Sequence, residues 1–349
     1  MINKTEQEIM ENWVGDINNP LVSIKCTAYN HEKYISDALD GFLIQETTFP
    51  FEVIIHDDAS TDNTAKIIKE YEKKYPKIIK PIYETENQYS KHDGSLRRII
   101  NKNIKGKYVA DCEGDDYWIS PFKLQKQAMA LENNTECSIS YCYVDFVDIK
   151  GNRTGISTPP KKAFNKNIIT LKDFMYVEFI KHKWCFHTSS FFYRSSLLDG
   201  YEKVITNEFK DFPYGDLPIR LWCLLNGNGF LIRETMSCYR QDTGGYMSSI
   251  RYDPKKHKRD ELSLIKALKS FDKYTNEKYK KYVKSRIKVA YLIIMAAGRT
   301  REDFLRETIK PRNWKISGFR EVIKNFVIIY FPRLFKVLDK IKQKYGRYR

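Results

Sequence analysis

Two pairs of adjacent aspartates, Asp57-Asp58 and Asp115-Asp116, mark where this chain could do chemistry. Each pair closely follows a short strand-like run, FEVIIH for the first and KYVADC for the second. Four carboxylates in one crevice would repel one another and shift each other's proton affinity. A divalent cation relieves that repulsion. Hard oxygen ligands favour Mg²⁺ or Mn²⁺, ions that commonly bridge protein carboxylates to a substrate diphosphate. An Asp-Asp pair after a strand is also ordinary turn chemistry. Two pairs at two strand ends point instead to a nucleotide-diphosphate site.

The pairs need a frame to bring them together. Residues 21–26 read as a strand, and 34–45 as a helix with Ile35, Leu39, Phe42 and Leu43 on one face. Strand 51–56 and helix 64–75 follow, the helix capped by Asp62 or Asn63. Strand 78–83, helix 95–104 and strand 107–112 complete an alternating series. This alternation predicts an α/β fold with a mostly parallel sheet and right-handed crossovers. Ligands of such sheets sit at the carboxyl ends of the strands. Those ends are Thr27-Ala28-Tyr29-Asn30, His56-Asp57-Asp58 and Glu113-Gly114-Asp115-Asp116. Further on, Ser120-Pro121 is expected to open a helix running to Glu132. Residues 139–147 and 189–194 read as strands, 220–225 as a buried helix, and the chain from 255 as all helix.

Over residues 21–131 the chain closely resembles the family-2 glycosyltransferases of the GT-A fold. The matching blocks are VSIKCTAYNHEKYISDALDGFLIQ, FEVIIHDDASTDNTAKIIKEY and GKYVADCEGDDYWISPFKLQKQ. The resemblance implies a nucleotide-sugar donor of UDP type, a divalent metal and inversion at the anomeric carbon. It puts Asp58 on the uracil edge and Thr27, Ala28 and Tyr29 against the uridine, with Asn30 and Asp57 beside them. It makes Asp116 a metal ligand, with Asp115 near the ribose and the metal. Glu113 stands where a leading Asp is frequent. The segment FPYGDLPIRLW resembles the family's acidic motif ahead of an apolar helix, which makes Asp216 the catalytic base and Asp211 the fallback. Asp216 also suits a helix cap, with Pro218 in the first turn.

The segment Tyr239–Gly245 resembles a closing loop, from which Arg240 could reach the phosphates and Gly244-Gly245 could permit a lid. An ordinary surface turn with an ion-paired Arg240 fits the composition equally. Arg97 is a further candidate for the donor phosphates, with Arg98 beside it; solvated helix charges are the alternative. His187 reads as a packed histidine and Trp184 as a core tryptophan, although a sugar face could stack on the indole. His182 and His187 lack a third ligand for zinc.

Charge divides the chain. Residues 251–349 hold 29 Lys or Arg against 10 Asp or Glu, an excess of +19, whereas the whole chain carries +16. The expected organisation is a lead-in (1–20), a catalytic domain (21–250, with donor half 21–131 and acceptor half 132–250) and a basic helical region (251–349). In that last region Phe319, Val322, Ile323 and Phe326, then Leu334, Val337, Leu338, Ile341 and Tyr345, recur at helical spacing among Lys and Arg. Such a pattern suits an anionic membrane surface or a partner. No run approaches the ~18 apolar residues of a spanning helix. Seven cysteines with no CxxC spacing suggest reduced thiols and a cytoplasmic setting. The expected partners are a nucleotide-sugar donor, a glycan or lipid-linked glycan acceptor, and the inner face of a bacterial plasma membrane, with Mn²⁺ or Mg²⁺ as cofactor. Nucleic-acid binding by the basic Tyr-rich tail is the alternative from another class, but no recognisable module supports it. A nucleotidyl transferase would also use paired aspartates, but the loop TAYNHEKY has no Gly and a single Lys, Lys33, where a phosphate cradle is rich in both.

Overall fold

All seven residues of strand β2 (Phe51–Asp57) are buried. A strand buried on both faces needs neighbours on each side and helices above and below. In the computed structural model, which describes residues 3–244 and 253–296, β1 (Val22–Ala28) and β3 (Ile79–Tyr83) flank β2 in parallel register. Strand β4 (Tyr108–Asp111) pairs in parallel with the far edge of β1. Helices α2 (Ile35–Leu43), α3 (Thr64–Lys74) and α4 (Ser95–Asn103) make the crossovers. Helix α2 buries Ile35, Ala38, Leu39, Phe42 and Leu43, the face that its periodicity predicts. A short α1 (Glu6–Met10) precedes them, closed by a capping box from Thr5 and Glu8.

The sheet continues beyond β4. Its order is β3-β2-β1-β4-β9-β6-β10-β5, with β7 on β6 and β8 on β10. The added strands are β5 (Tyr117–Trp118), β6 (Cys137–Val147), β7 (Arg153–Thr158), β8 (Ile168–Ile169), β9 (Phe192–Arg194) and β10 (Asn228–Arg240). Strand β9 is antiparallel to both β4 and β6, while β6 and β10 are parallel. Two reversals restore direction, so β1–β4, β6 and β10 all end on one edge. Because β9 runs the other way, the residues just before it lie on that same edge. The direction of the second half thus decides which side chains meet the aspartates.

Some local expectations change. Helix α5 is Lys123–Asn133, and Ser120-Pro121 lies outside it. The Pro121 carbonyl accepts from Glu46 N–H at 2.8 Å and the Ser120 carbonyl from Gln45 Nε2 at 2.8 Å, which holds both residues to the end of α2. Asn63 is the cap residue of α3 without a side-chain bond, and Asp62 accepts from Thr64 N–H instead. Helix α8 (Asp216–Leu225) begins at Asp216, and the cap is Gly215. Helices α6 (Leu171–Met175) and α7 (Leu198–Asn207) complete this part, and a π-helical turn, Tyr176–Ile180, follows α6.

The chain divides into two compact units. One is Met1–Asn207 with Tyr214–Thr243, and the other is Glu208–Pro213 with the chain from Gly244 onward. The second contains α9 (Pro254–Tyr274) and α10 (Lys280–Ala296). Arg286 of α10 donates twice to buried Glu261 of α9, at 3.0 and 3.1 Å. Phe209 packs on Phe271 and Tyr274 within this unit. Lys255, Lys258, Leu262, Lys266, Lys269 and Lys273 form one exposed stripe on α9. The two later stripes read from the sequence, and Gly245, lie outside the described residues. None of the described helices is long and apolar enough to cross a membrane. All seven cysteines are free thiols and buried.

Gly41 allows α2 to approach β5. A Cβ there would lie 2.8 Å from both the backbone nitrogen and oxygen of Trp118. The Gly41→Ala variant is expected to lose about 1–3 kcal/mol by overpacking, against alanine's better helix propensity. Chemical denaturation measures this, and equal or higher stability would contradict such a close seat for β5.

Candidate functional site

The exits of β1 and β2 are tied to one another. Ala28 accepts from the Asp58 N–H at 2.9 Å, and Thr27 accepts from the Gly114 N–H at 2.9 Å. Asn30, at φ 55°, accepts from the Thr61 N–H at 2.8 Å and donates its own N–H to Ser60 Oγ at 2.9 Å. Asn30 therefore shapes the loop, while Tyr29 beside it is exposed. Asp57 and Asp58 are both buried. Asp58 accepts from the backbone N–H groups of Gln88 at 2.6 Å and Tyr89 at 3.0 Å, one on each oxygen. Asp57 Oδ1 is buried with no hydrogen-bond partner among the described residues. The pair thus divides into an anchored carboxylate and one with an open acceptor.

The exit of β4 carries the acidic cluster. Asp116 Oδ1 accepts from the Arg240 N–H at 3.0 Å. Asp116 Oδ2 is buried without a hydrogen-bond partner among the described residues and lies 3.6 Å from His187 Nδ1. Glu113, Asp116 and His187 each offer a ligand atom within 4.8 Å of the others. Burial, then repulsion from Asp115 and Glu113, pushes the Asp116 carboxyl well above its usual range. The Glu113 carboxyl is pushed up, by desolvation and by repulsion from Asp115, Asp216 and Asp111. Water reaches the exposed Glu113, so repulsion is the cause that carries its shift. Burial, then the Arg220 charge, lowers His187 to about 3, which keeps its imidazole neutral. An open carboxylate oxygen, a second carboxylate and a neutral imidazole make a donor set that fits a divalent cation. Asp115 is not one of this trio but lies close enough to repel Glu113 and Asp116, and it accepts from Thr243 Oγ1 at 2.8 Å.

His187 is the residue whose place the sequence hid. It is packed, as its composition suggests, stacking on Tyr239 at 4.2 Å. It also belongs to the cluster, because β9 is antiparallel and His187 precedes it. No spacing signal could have found it, since the sequence does not state the direction of β9.

Asp216 projects from the first turn of α8 onto Arg220, which is 2% exposed. Arg220 donates to Asp216 Oδ2 and to Glu178 Oε2, each at 2.8 Å. Glu178 lies on the π-helical turn and also accepts from the Cys185 N–H at 3.2 Å. Arg220 thus links α8 to the segment leading to His187. Asp211 belongs to the second unit and Asp216 to the first.

The two candidate arginines differ from expectation. Arg240 is not on a surface turn. Its guanidinium is buried between the rings of Tyr34 and Tyr117, 4.8 and 5.0 Å away, and donates to Asp37 at 2.6 Å. It reaches the acidic cluster through its backbone. Arg97 holds Glu202 bidentately at 2.8 and 3.0 Å, so the fork that would grip a phosphate is already filled. Arg98 donates to the Asp93 carbonyl.

Comparison with known proteins follows this geometry. An uncharacterized protein of Mycobacterium tuberculosis is 33% identical over 243 residues, 67% of this chain; the match spans only 63% of that relative's length. S. aureus TarS, solved in complex with UDP-GlcNAc, superimposes with a TM-score of 0.51 at 18% identity, covering 88% of this chain and 90% of that one. The mannosyltransferase PcManGT from Pyrobaculum calidifontis, solved with GDP-Man and Mn²⁺, gives 0.51 at 16% identity over 91% and 90%. These likenesses show the GT-A fold. The model of glycosyl transferase family 2 matches residues 23–199, and the chain belongs to that family.

Proposed function

We propose that this glycosyltransferase moves a sugar, with inversion, from a UDP-sugar to a hydroxyl of a glycan or lipid-linked glycan, and that it depends on Mn²⁺ or Mg²⁺. One observation carries the reading: the partnerless buried oxygen of Asp116 facing His187 and Glu113. Asp116, Glu113 and His187 would hold the ion, with Asp115 beside them near the ribose. When bound, it would neutralise the charge that develops on the leaving diphosphate. Thr27, Ala28 and Tyr29 would line the uridine, with Asn30 shaping that loop, and Asp57 or Asp58 would accept from the ring N–H. Arg240 orients Asp116 through its backbone N–H.

Asp216 would act as the base. It takes the proton of the acceptor hydroxyl as that oxygen bonds to the anomeric carbon. The bond from that carbon to the diphosphate breaks, the electron pair leaves with UDP, and the configuration inverts. Arg220 fixes the aim of the Asp216 carboxylate. Attachment to an anionic membrane surface on the cytoplasmic side, for polysaccharide assembly, is proposed for the basic region. The exposed lysine stripe on α9 and the +19 excess support it.

Three measurements test these statements. UDP with Mn²⁺ should raise the melting temperature, with GDP and dTDP run beside it. At neutral pH the buried Asp116 opposes folding, because its carboxyl is pushed above the unfolded value. Asp116→Asn should therefore melt no lower than wild type without ligand, yet lose the Mn²⁺-dependent shift. No shift with any nucleotide in the presence of metal would refute the donor site. Asp216→Asn should bind UDP normally and lose about 10²–10⁴-fold in kcat; near-normal turnover would exclude it as the base. Co-sedimentation should require anionic lipid in the vesicles and weaken as salt rises. Equal binding to neutral vesicles would rule out the electrostatic attachment.

A further inference from the structure

Trp184 is 39% exposed and borders the acidic cluster. Three rings surround it steeply: Phe146 at 5.6 Å and 64°, Tyr239 at 5.9 Å and 75°, and His187 at 5.5 Å and 85°. None of them lies flat on the indole. Phe146 and Tyr239 are register partners near the carboxyl ends of β6 and β10, so the indole stands on the site edge of the sheet. His187 connects it to Asp116. Trp118 provides the contrast of a structural tryptophan, being 2% exposed with its indole N–H on the Ser189 carbonyl at 3.1 Å.

The backbone around Trp184 is fixed. Lys181 N–H donates to the Tyr176 carbonyl at 2.9 Å, and Lys183 N–H to the Val177 carbonyl at 3.1 Å. Thr158 Oγ1 donates to the Cys185 carbonyl at 2.5 Å, with the Trp184 carbonyl 3.2 Å away. This anchored loop presents Lys181, Lys183 and Trp184 to solvent. Lys181 lies over the Tyr176 ring at 5.3 Å. Neither lysine is paired with a carboxylate among the described residues. An aromatic face is electron-rich and attracts the weakly positive C–H groups on the apolar face of a pyranose. Two exposed ammonium groups on the same short loop favour a ring with a negative substituent.

We propose that Trp184, with Lys181 and Lys183, forms the acceptor subsite for an acidic sugar, a pyranose bearing a carboxylate or phosphate. The inference rests on the glycosyltransferase reading above. The anchored loop holds the indole ready, so little ordering is lost on binding. His187 packs on the same aromatic group and touches the cluster, which sets the bound sugar beside the reacting centre.

The test uses the full chain saturated with UDP and diamagnetic Mg²⁺, and saturation-transfer NMR with methyl β-D-glucuronide and methyl β-D-glucoside as probes. Wild type should bind the glucuronide more tightly, with a preference that shrinks as salt rises. Trp184→Ala should weaken both probes about tenfold, and Trp184→Phe should recover most of the loss. The Lys181→Ala/Lys183→Ala pair should abolish the preference for the glucuronide. UDP affinity should be equal in all variants, and their melting temperatures identify any that fail to fold. Unchanged probe binding in Trp184→Ala, or no charge preference in wild type, overturns the proposal. So does a Trp184→Ala defect confined to UDP-glucose relative to UDP, which would put the indole under the donor sugar. A wild type that does not bind UDP at all refutes the glycosyltransferase reading instead.

Discussion

The Arg240 N–H donates to Asp116 where β5 pairs with β10, and this contact fixes the end of β10 against the segment that leaves β4. The first half of the sheet supplies the acidic cluster, and the second half holds it in place. Asp116 is buried, with Arg240 at the end of β10 and His187 ahead of β9 against it. That burial raises its proton affinity, and one oxygen has no hydrogen-bond partner among the described residues. A carboxylate in such a position is costly to keep, and a cation is the natural relief. Shared strand direction is the constraint beneath this arrangement. Six strands end on one edge, so residues remote in sequence become neighbours without any loop having to reach far.

The parallel half of the fold was readable because its signals are local. Residues 51–57 are hydrophobic or β-branched for most of their length, and α2 shows its buried face in its spacing. Strand β10 was not read at all. Its run NGFLIRETMSCYR mixes exposed and buried positions with register shifts against β6, so neither strict alternation nor a continuous apolar block appears. The same limit hid His187, whose role depends on the antiparallel direction of β9. Arg97 shows the opposite failure. A basic residue near the site suggested phosphate, while its partner, Glu202, lies 105 positions away and leaves no local trace.

Arg220 shows how a buried ion pair can be useful without being a large source of stability. Its fork joins Asp216 and Glu178, and it also lies over the rings of Phe174 and Phe191. Two carboxylates sharing one guanidinium offset much of its desolvation cost. What the arrangement fixes is geometry: α8, the π-helical turn and the segment reaching Cys185 are held in one relation.

The seven buried thiols have a practical consequence. Burial raises the pKa of every one, Cys137 and Cys142 to about 11, so few thiolates form at neutral pH. The native cysteines are thus chemically quiet while the fold is closed. A single cysteine engineered on an exposed loop could carry a fluorophore without first stripping the protein of its own. The slow labelling of the native seven would then serve as a clock for how often the interior opens.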